Sequence, residues 1–448
     1  MRQKQSRPRL FQAMLDAFHL PDLRRRILFT IGILVIFRFV AHIPLPGVNP
    51  DALNQMFQAN ALFGMLDMFS GGAMRNFSVA AMGVYPYITA SIIMMLLVPL
   101  IPRLQALSQE GEAGRHRVDQ ITHWLMIPLG GIQAYGQLVY LQNQQFDVGG
   151  QLVSVFQSSG ALPMAAMVIS MIAGTVFCVW LGELITEYGI GNGISIIIFG
   201  GIVAGLWQVI GQTQASVSAH PLGLVFYVLI ILATIMLIVV FTEAHRRIPV
   251  QYARSVFRGG RMYRQGGSTH IPLRVNSAGM IPLIFSMSMV IFPGIVASYF
   301  MAPTGSPPNF ATHVYNLFNF DADLPLGIFI WVFYFLLTFG FAFFYTSVIF
   351  QQQDLPGTLQ RQGGFIPGIR PGKQTTTYLN FVVNRITWAG AFFLSLVAVM
   401  PFLARLVTGI QFAQLSSAGL IIVVGVALDT MKQMEAQLVM RRYEGFIK

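Results

Sequence analysis

Long uncharged apolar stretches recur along the whole chain, and they constrain its fold more than any other feature of the sequence. A helix that crosses the hydrocarbon core of a bilayer needs about 20 mostly apolar residues. Residues 222–241 meet this requirement without a single charged side chain. Turn signals separate the other stretches, and together they predict ten spans, at about 27–43, 77–101, 121–141, 160–181, 194–212, 222–241, 277–299, 325–350, 384–405 and 416–434.

The composition supports a membrane protein. Hydrophobic residues make up 54% of the 448 residues and charged residues only 10%, whereas an ordinary soluble domain has about 25% charged residues. So few charged side chains cannot cover the surface of a water-soluble globule of this length. The fold class predicted from the sequence is therefore an all-α polytopic membrane protein with ten transmembrane helices.

The lysines and arginines predict the orientation of the spans. Of the 28 basic residues, 24 fall in the segments 1–26, 102–120, 242–276, 351–379 and 431–448, and the loops on the other side carry almost none. The positive-inside rule places these segments in the cytoplasm, together with both termini. Because ten spans also return the chain to its starting side, the count and the charge distribution agree.

Five spans precede a short polar link at 212–220, and five follow it. The chain is thereby divided into an N-terminal half, 1–212, and a C-terminal half, 213–448. Because five is an odd number, the second half enters the membrane from the side opposite to the first. The count is thus compatible with two halves of inverted topology, as in many transport folds, although no strong internal sequence repeat accompanies it.

Three segments resemble neither a lipid-facing helix nor an ordinary turn. Residues 62–74 are apolar but too short to cross a bilayer, which is typical of a re-entrant or buried segment. The loops at about 242–276 and 351–379 are rich in Arg, Gly, Pro and Gln, and they are too long to be simple turns. We expect both loops to lie in the cytoplasm.

Residues that could act as catalysts or metal ligands are sparse. The sequence has no H-E-x-x-H zinc motif and no P-loop, its eight histidines are scattered, and its one cysteine, Cys178, has no intrachain partner. We therefore predict no catalytic residue, no metal site and no cofactor. Arg38 is the only charge well inside a span, and its place near the outer end favours a structural role.

Two functions that a polytopic membrane protein could have are secondary transport of small solutes and catalysis inside the membrane. A transporter usually places ionisable groups at membrane depth, and an enzyme needs a convergent catalytic group. The centres of the spans instead carry Ile, Met, Ser, Thr, Asn and Gly. A pathway through such spans would have a mostly apolar wall, which suits a pore that closes by dewetting.

Two pairs of aliphatic residues each lie four positions apart and so share one face of a helix. They are Val84 with Ile88 in the second span, and Ile194 with Ile198 in the fifth. Periodicity alone assigns such residues to the core or to the lipid-facing surface. Gly201 and Gly205 form a G-x-x-x-G motif in the fifth span, which permits close helix packing.

Several longer motifs occur in a fixed order. They are IPLPGV at 43–48, MFSGGAM at 68–74, YPYITASI at 85–92, EGEAGRHRVDQ at 110–120, ITEYGIGNGISIIIF at 185–199, RRIPVQYAR at 246–254, STHIPLRVNSAGMIP at 268–282 and FIPGIRPG at 365–372. In these motifs the chain closely resembles the SecY family, the channel subunits of the bacterial Sec protein translocase. The resemblance extends from about residue 20 to residue 445.

This resemblance implies two inverted five-helix halves around a central pore, which a ring of apolar side chains constricts. In this sequence the ring falls on Val84, Ile88, Ile194, Ile198, Ile284 and Ile422. Position 84 is Val where the family often has Ile. The resemblance also implies that the segment 62–74 is a plug that closes the outer funnel, comprising Leu62, Phe63, Gly64, Met65, Leu66, Asp67, Met68, Phe69, Ser70, Gly71, Gly72, Ala73 and Met74.

The resemblance further implies a lateral gate between the second and seventh spans, with a polar cluster at Thr89, Gln120 and Asn276. It implies docking of a motor or a ribosome on the basic loops, at Arg254, Arg258, Arg261, Arg264 and Arg370. Gly260 stands where many members have a second arginine.

The implied function is a passive protein-conducting channel in the bacterial cytoplasmic (inner) membrane. Such a channel translocates unfolded secretory polypeptides and releases transmembrane segments laterally into the membrane. The implied partners are the small membrane subunits SecE and SecG, the SecA ATPase, the ribosome, signal peptides with their nascent chains, and membrane lipid.

Overall fold

A computed structural model of the protein describes residues 20–49, 52–53, 67, 70–143, 145–148, 151–156, 160–217, 221–258, 261–301, 307–318, 326–353, 355–408 and 412–444. A helix lies at each of the ten predicted spans. Within the described ranges the elements are, in chain order, α1 Pro21–Val40, α2 Tyr85–Leu100, α3 Pro102–Gln109, α4 Glu112–Asn143, β1 Gln145–Val148, β2 Gln151–Ser154, α5 Ala161–Tyr188, α6 Gly193–Val217, α7 Pro221–Glu243, β3 His245–Arg258, β4 Arg261–Arg274, α8 Ile281–Tyr299, α9 Phe310–Leu317, α10 Leu326–Gln353, α11 Leu355–Arg361, β5 Gly364–Phe365, α12 Lys373–Thr408 and α13 Phe412–Glu444.

Proline marks the start of several of these helices. It occupies one of the first two positions of α1, α2, α3 and α8. The fixed φ of proline suits the first helical turn. Its missing N–H costs nothing there, because an N–H at the start of a helix has no hydrogen-bond acceptor within the helix. The sequence therefore fixes these helix starts locally.

The second span is shorter than the sequence predicts. Residues 77–84 lie in turns, and helix α2 begins only at Tyr85. Phe77 and Gly83 have positive φ angles of 41° and 52°, which a right-handed helix cannot contain. At its other end α2 meets α3 at an angle of 99°, because Ile101 is extended and precedes Pro102.

Two small antiparallel sheets lie between the helices. Strands β1 and β2 pair from Gln145↔Ser154 to Val148↔Gln151. Strands β3 and β4 form a hairpin whose register runs from His245↔Arg274 to Arg258↔Arg261. Strand β5 pairs with β3 at Gln251↔Phe365. The second sheet therefore joins the two long basic loops to each other. The sequence analysis does not predict its strands.

Hydropathy distinguishes the helices from one another. Among the described residues, five helices are individually long and apolar enough to cross a membrane, and the bent pair α2–α3 makes a sixth if it counts as one span. The five lie in α5, α7, α8, α10 and α12. The apolar helix Gly193–Gly205, which is part of α6, is shorter than these five.

The long helices pack in two groups. Helices α1, α2, α4, α5 and α6 form one group, and helices α7, α8, α10, α12 and α13 form the other. The groups meet along two seams, where α8 packs against α2 and α4, and where α13 packs against α6. The largest hydrophobic cluster runs through both groups, so one continuous core connects them.

Candidate functional site

The six residues predicted to form the ring lie in or against the largest hydrophobic cluster. Val84 precedes α2, Ile88 lies in α2, Ile284 in α8 and Ile422 in α13, and all four belong to this cluster. From α6, Ile198 belongs to the cluster and Ile194 packs against it. None of the five clustered side chains is more than 5% exposed. The predicted ring positions are therefore core positions, not lipid-facing ones.

A cavity of about 750 Å³, called the vestibule below, is lined in part by predicted ring residues. Ile88, Ile194, Ile198 and Ile284 belong to its wall. The wall also includes Gly111, which lies in the exposed turn between α3 and α4 and has a positive φ of 87°. Four of the six predicted ring residues, from three helices, therefore share one cavity.

The polar residues of the vestibule were not predicted from the sequence. They include Ser91, Arg115, Asp119, Asn192 and Ser195. Burial raises the pKa of the Asp119 carboxyl, while the imidazoles of His123 and His116 oppose this rise. These polar residues lie within the motifs at 85–92, 110–120 and 185–199, but no role was predicted for them, and only the fold brings them around one cavity.

Of the predicted plug, the structure describes Asp67 and residues 70–74, whereas 62–66, 68 and 69 lie outside the described residues. Ser70, Ala73 and Met74 are at most 1% exposed. The Ser70 hydroxyl donates to the Asp67 carbonyl oxygen at 3.1 Å and accepts the Met74 N–H at 3.0 Å. This part of the segment is therefore a compact turn inside the protein.

The Asp67 side chain closes the same turn. Its Oδ1 accepts the backbone N–H of Arg75 at 2.9 Å. Burial raises the pKa of the Asp67 carboxyl, and the hydrogen bond from the Arg75 N–H opposes the rise. Across from it, the Gln137 amide of α4 donates to the Met74 sulfur at 3.1 Å.

The three predicted gate residues come from α2 (Thr89), α4 (Gln120) and the segment that precedes α8 (Asn276). The Thr89 hydroxyl donates to the Tyr85 carbonyl oxygen of its own helix at 3.1 Å. Gln120 is exposed, and its amide lies 3.4 Å from the His116 ring. Among the described hydrogen bonds, none joins any two of Thr89, Gln120 and Asn276.

Two tyrosines instead bridge the seam of α8 with α2 and α4. The Tyr85 hydroxyl of α2 donates to the Ser288 carbonyl oxygen of α8 at 3.4 Å. The Tyr299 hydroxyl at the end of α8 donates to the Gln133 carbonyl oxygen of α4 at 3.1 Å. Sequence reasoning missed both contacts, because the acceptors are main-chain oxygens that any residue would supply.

The predicted docking arginines lie on or beside the second sheet. In the main-chain register of β3 and β4, Arg258 is paired with Arg261, Arg254 with Gln265 and Arg264 with Ser255. Arg370 is exposed between β5 and α12, and its carbonyl oxygen accepts the Thr375 hydroxyl at 3.0 Å. Because β5 pairs with β3, the two loops present one continuous structure.

Metal-binding chemistry has no counterpart in the geometry of the described ranges. Nowhere in them do three or more His, Cys, Asp or Glu side chains come close enough to hold an ion. Cys178 is buried and unpaired in α5.

Comparisons with known sequences show which family the chain matches. The model of the SecY family matches residues 78–431. The chain is 44% identical to the protein translocase subunit SecY of Halalkalibacterium halodurans, over 98% of this chain and the whole of that protein. It is 39% identical to the protein translocase subunit SecY of Bacillus subtilis, with the same coverage of both chains.

Solved structures share the fold. A structure described as a protein conducting channel superposes with a TM-score of 0.65 at 15% identity, over 95% of this chain and 97% of that chain. Sec61 in the canine ribosome-channel complex from the endoplasmic reticulum gives a TM-score of 0.61 at 14% identity, with the same coverage. The predicted fold class is confirmed, and the two small sheets add strands to it. The chain is a multi-pass membrane protein and belongs to the SecY family.

Proposed function

We propose that the chain is a protein-conducting channel, through which unfolded secretory polypeptides cross the membrane and from which transmembrane segments leave sideways into lipid. The observation that carries the proposal is that four of the predicted ring residues, Ile88, Ile194, Ile198 and Ile284, line one vestibule and lie in or against one buried cluster. A relative in the fold comparison is described as a protein conducting channel.

An apolar ring suits a cargo of varied sequence. Methyl groups form no hydrogen bonds with a passing chain, so they can surround many sequences and hold none of them. Without cargo, a closed ring of this kind excludes water and therefore ions. The buried turn at 70–74 supports a plug on the other side of the ring, comprising residues 62–74.

The lateral exit is the seam at which α8 meets α2 and α4. Hydrogen bonds between membrane helices contribute only about 0.6–2 kcal/mol each. The bonds from Tyr85 and Tyr299 therefore hold the seam weakly enough for an apolar signal helix to part it. Thr89, Gln120 and Asn276 are proposed to act in the opening of this gate.

The sheet that joins β3, β4 and β5 is the proposed docking surface. Its arginines, with Arg370, suit carboxylates or phosphates, because a guanidinium forms forked contacts with both. A motor ATPase such as SecA, or a ribosome, would dock there and drive transport, since the channel itself is proposed to have no catalytic activity. One relative in the fold comparison, Sec61, was solved in a ribosome-channel complex.

The topology, membrane location and partners of the channel belong to the same proposal. The halves 1–212 and 213–448 are related by inverted topology and lie in the bacterial inner membrane with both termini in the cytoplasm. The small subunits SecE and SecG, signal peptides, nascent chains and membrane lipid complete the proposed partners.

Disulfide cross-linking to a stalled cargo tests the function. Cys178 is first replaced by alanine, and Ile284→Cys then places a single thiol in the ring. Leu232→Cys is the matched control, because Leu232 is 58% exposed on α7, outside the core. A secretory precursor with one cysteine, arrested halfway across native membranes, is expected to cross-link to position 284 alone. Equal cross-linking at both positions, or none at 284, contradicts the proposal.

A further inference from the structure

The buried turn at 70–74 rests on a seat formed by two helices of the first group. Helix α1 supplies Phe37 and Arg38, and helix α6 supplies Gly201. Arg38 is the charge that the sequence places well inside a span, and Gly201 belongs to the G-x-x-x-G motif. The structure gives both residues the same neighbour, Gly71.

A charged hydrogen bond forms the first part of this contact. The Arg38 guanidinium Nη1 donates to the Gly71 carbonyl oxygen at 2.8 Å. A hydrogen bond from a charged donor is stronger than a neutral one. Instead of only extending to the membrane surface, this arginine is tied to the main chain of the turn.

Close backbone packing forms the second part. A Cβ atom added to Gly201 would overlap the Cα of Gly71, and one added to Gly71 would lie 2.7 Å from the Phe37 ring. Gly71 and Gly72 also have positive φ angles of 69° and 82°, which favour glycine. A Cβ on Gly205, one helical turn further along α6, would meet nothing within 4 Å. The motif therefore has one glycine that contacts the turn and one that does not.

We propose that Arg38 and Gly201 form a latch that keeps the plug seated in the resting protein, with Arg38 holding the Gly71 carbonyl and Gly201 leaving room for its backbone. This inference rests on the proposed function of the segment 62–74 as a plug. Arg38 and Gly201 are positioning residues, since they act through Gly71 and lie outside the ring.

The position of the turn can be read without any transport assay. In the Cys178→Ala background, Ala73→Cys places a thiol at a site that is fully buried in the seated turn. The full chain in membrane vesicles is treated with a membrane-impermeant maleimide, and the labelling rate is measured. Arg38→Met removes the donors and keeps an apolar stem, and we expect labelling to become about tenfold to a hundredfold faster. Arg38→Lys keeps a charged donor and is expected to fall between the two.

The glycine pair is the matched control. Gly201→Ala is expected to accelerate labelling, whereas Gly205→Ala is expected to leave the rate at that of the parent. If Arg38→Met does not fold, the glycine pair decides alone, because each variant adds only one methyl group. A rate equal to the parent in either folded seat variant, or equal acceleration by Gly205→Ala, overturns the latch. Failure of the ring to cross-link to cargo would refute the proposed function and leave these labelling rates unaffected.

Discussion

Replacement of Ile284 by asparagine tests whether the ring seals the resting channel. The side chain of Ile284 is 5% exposed and packs in the same cluster as Ile88 and Ile198. At this position an amide is expected to lose most of its hydrogen bonds to water while the ring is closed, whereas in a hydrated ring it bonds to water.

The size of the effect follows from the cost of a buried unpaired polar group. This cost is about 1–3 kcal/mol, and each 1.4 kcal/mol changes an equilibrium about tenfold. Ile284→Asn should therefore raise the hydrated fraction, and with it the resting ion leak, by about fivefold to about 150-fold. Ile284→Leu conserves the volume and adds no polar group, so its leak should stay close to that of the parent.

The assay is ion efflux from vesicles that contain the purified channel, expressed per folded protein. The ratio of the asparagine to the leucine variant should persist when residues 62–74 are also deleted, because the perturbation acts at the ring. The same leak in the parent, leucine and asparagine proteins would refute a seal made by these side chains.

Four other perturbations address the plug, the docking surface and the gate. Deletion of 62–74 should leave a folded protein with a measurable closed-state conductance in planar bilayers, and an unchanged current would remove the plug assignment. Arg370→Glu should impair motor-driven or ribosome-coupled export of a secretory precursor, whereas the same reversal at the exposed Arg361 of α11 should not. Tyr85→Phe removes the bond to Ser288, so the open gate should be favoured about threefold to about thirtyfold and less hydrophobic signal peptides should be exported. Asn276→Leu makes a half-buried position before α8 apolar and should alter the signal hydrophobicity that export requires. Superimposable export curves for either gate variant would contradict its part in the gate.

The helices could be predicted from the sequence because hydropathy is a local property. Apolar stretches located a helix at each predicted span, with bounds that differ by several residues, and the second span is shortened where the main chain departs from helical angles, at Phe77 and Gly83. The pairing of β3 with β5 could not be predicted, since it joins segments about a hundred residues apart whose sequences give no sign of each other.

The residues of the candidate site could be predicted only in part from the sequence, and for a different reason. Spacing shows that Ile194 and Ile198 share a helix face, but it does not show whether that face meets lipid, core or a pore. The family resemblance supplied this, and the structure adds that all six predicted ring residues lie in or against one buried cluster. Neither source pointed to Tyr85 and Tyr299, whose acceptors are main-chain oxygens.

The vestibule lined by Ile88, Ile194, Ile198 and Ile284 also has an electrical consequence for the proposed channel. Ion-containing water inside the vestibule would carry the voltage of one compartment into the protein, so most of the membrane potential would fall across the proposed ring. Each elementary charge that crosses a potential of 100 mV gains or loses about 2.3 kcal/mol. An acidic residue of a moving chain would be drawn towards the positive side over a few ångströms, and a basic residue would be held back over the same short distance. The driving force on a cargo would thus change residue by residue as its charges reach the ring.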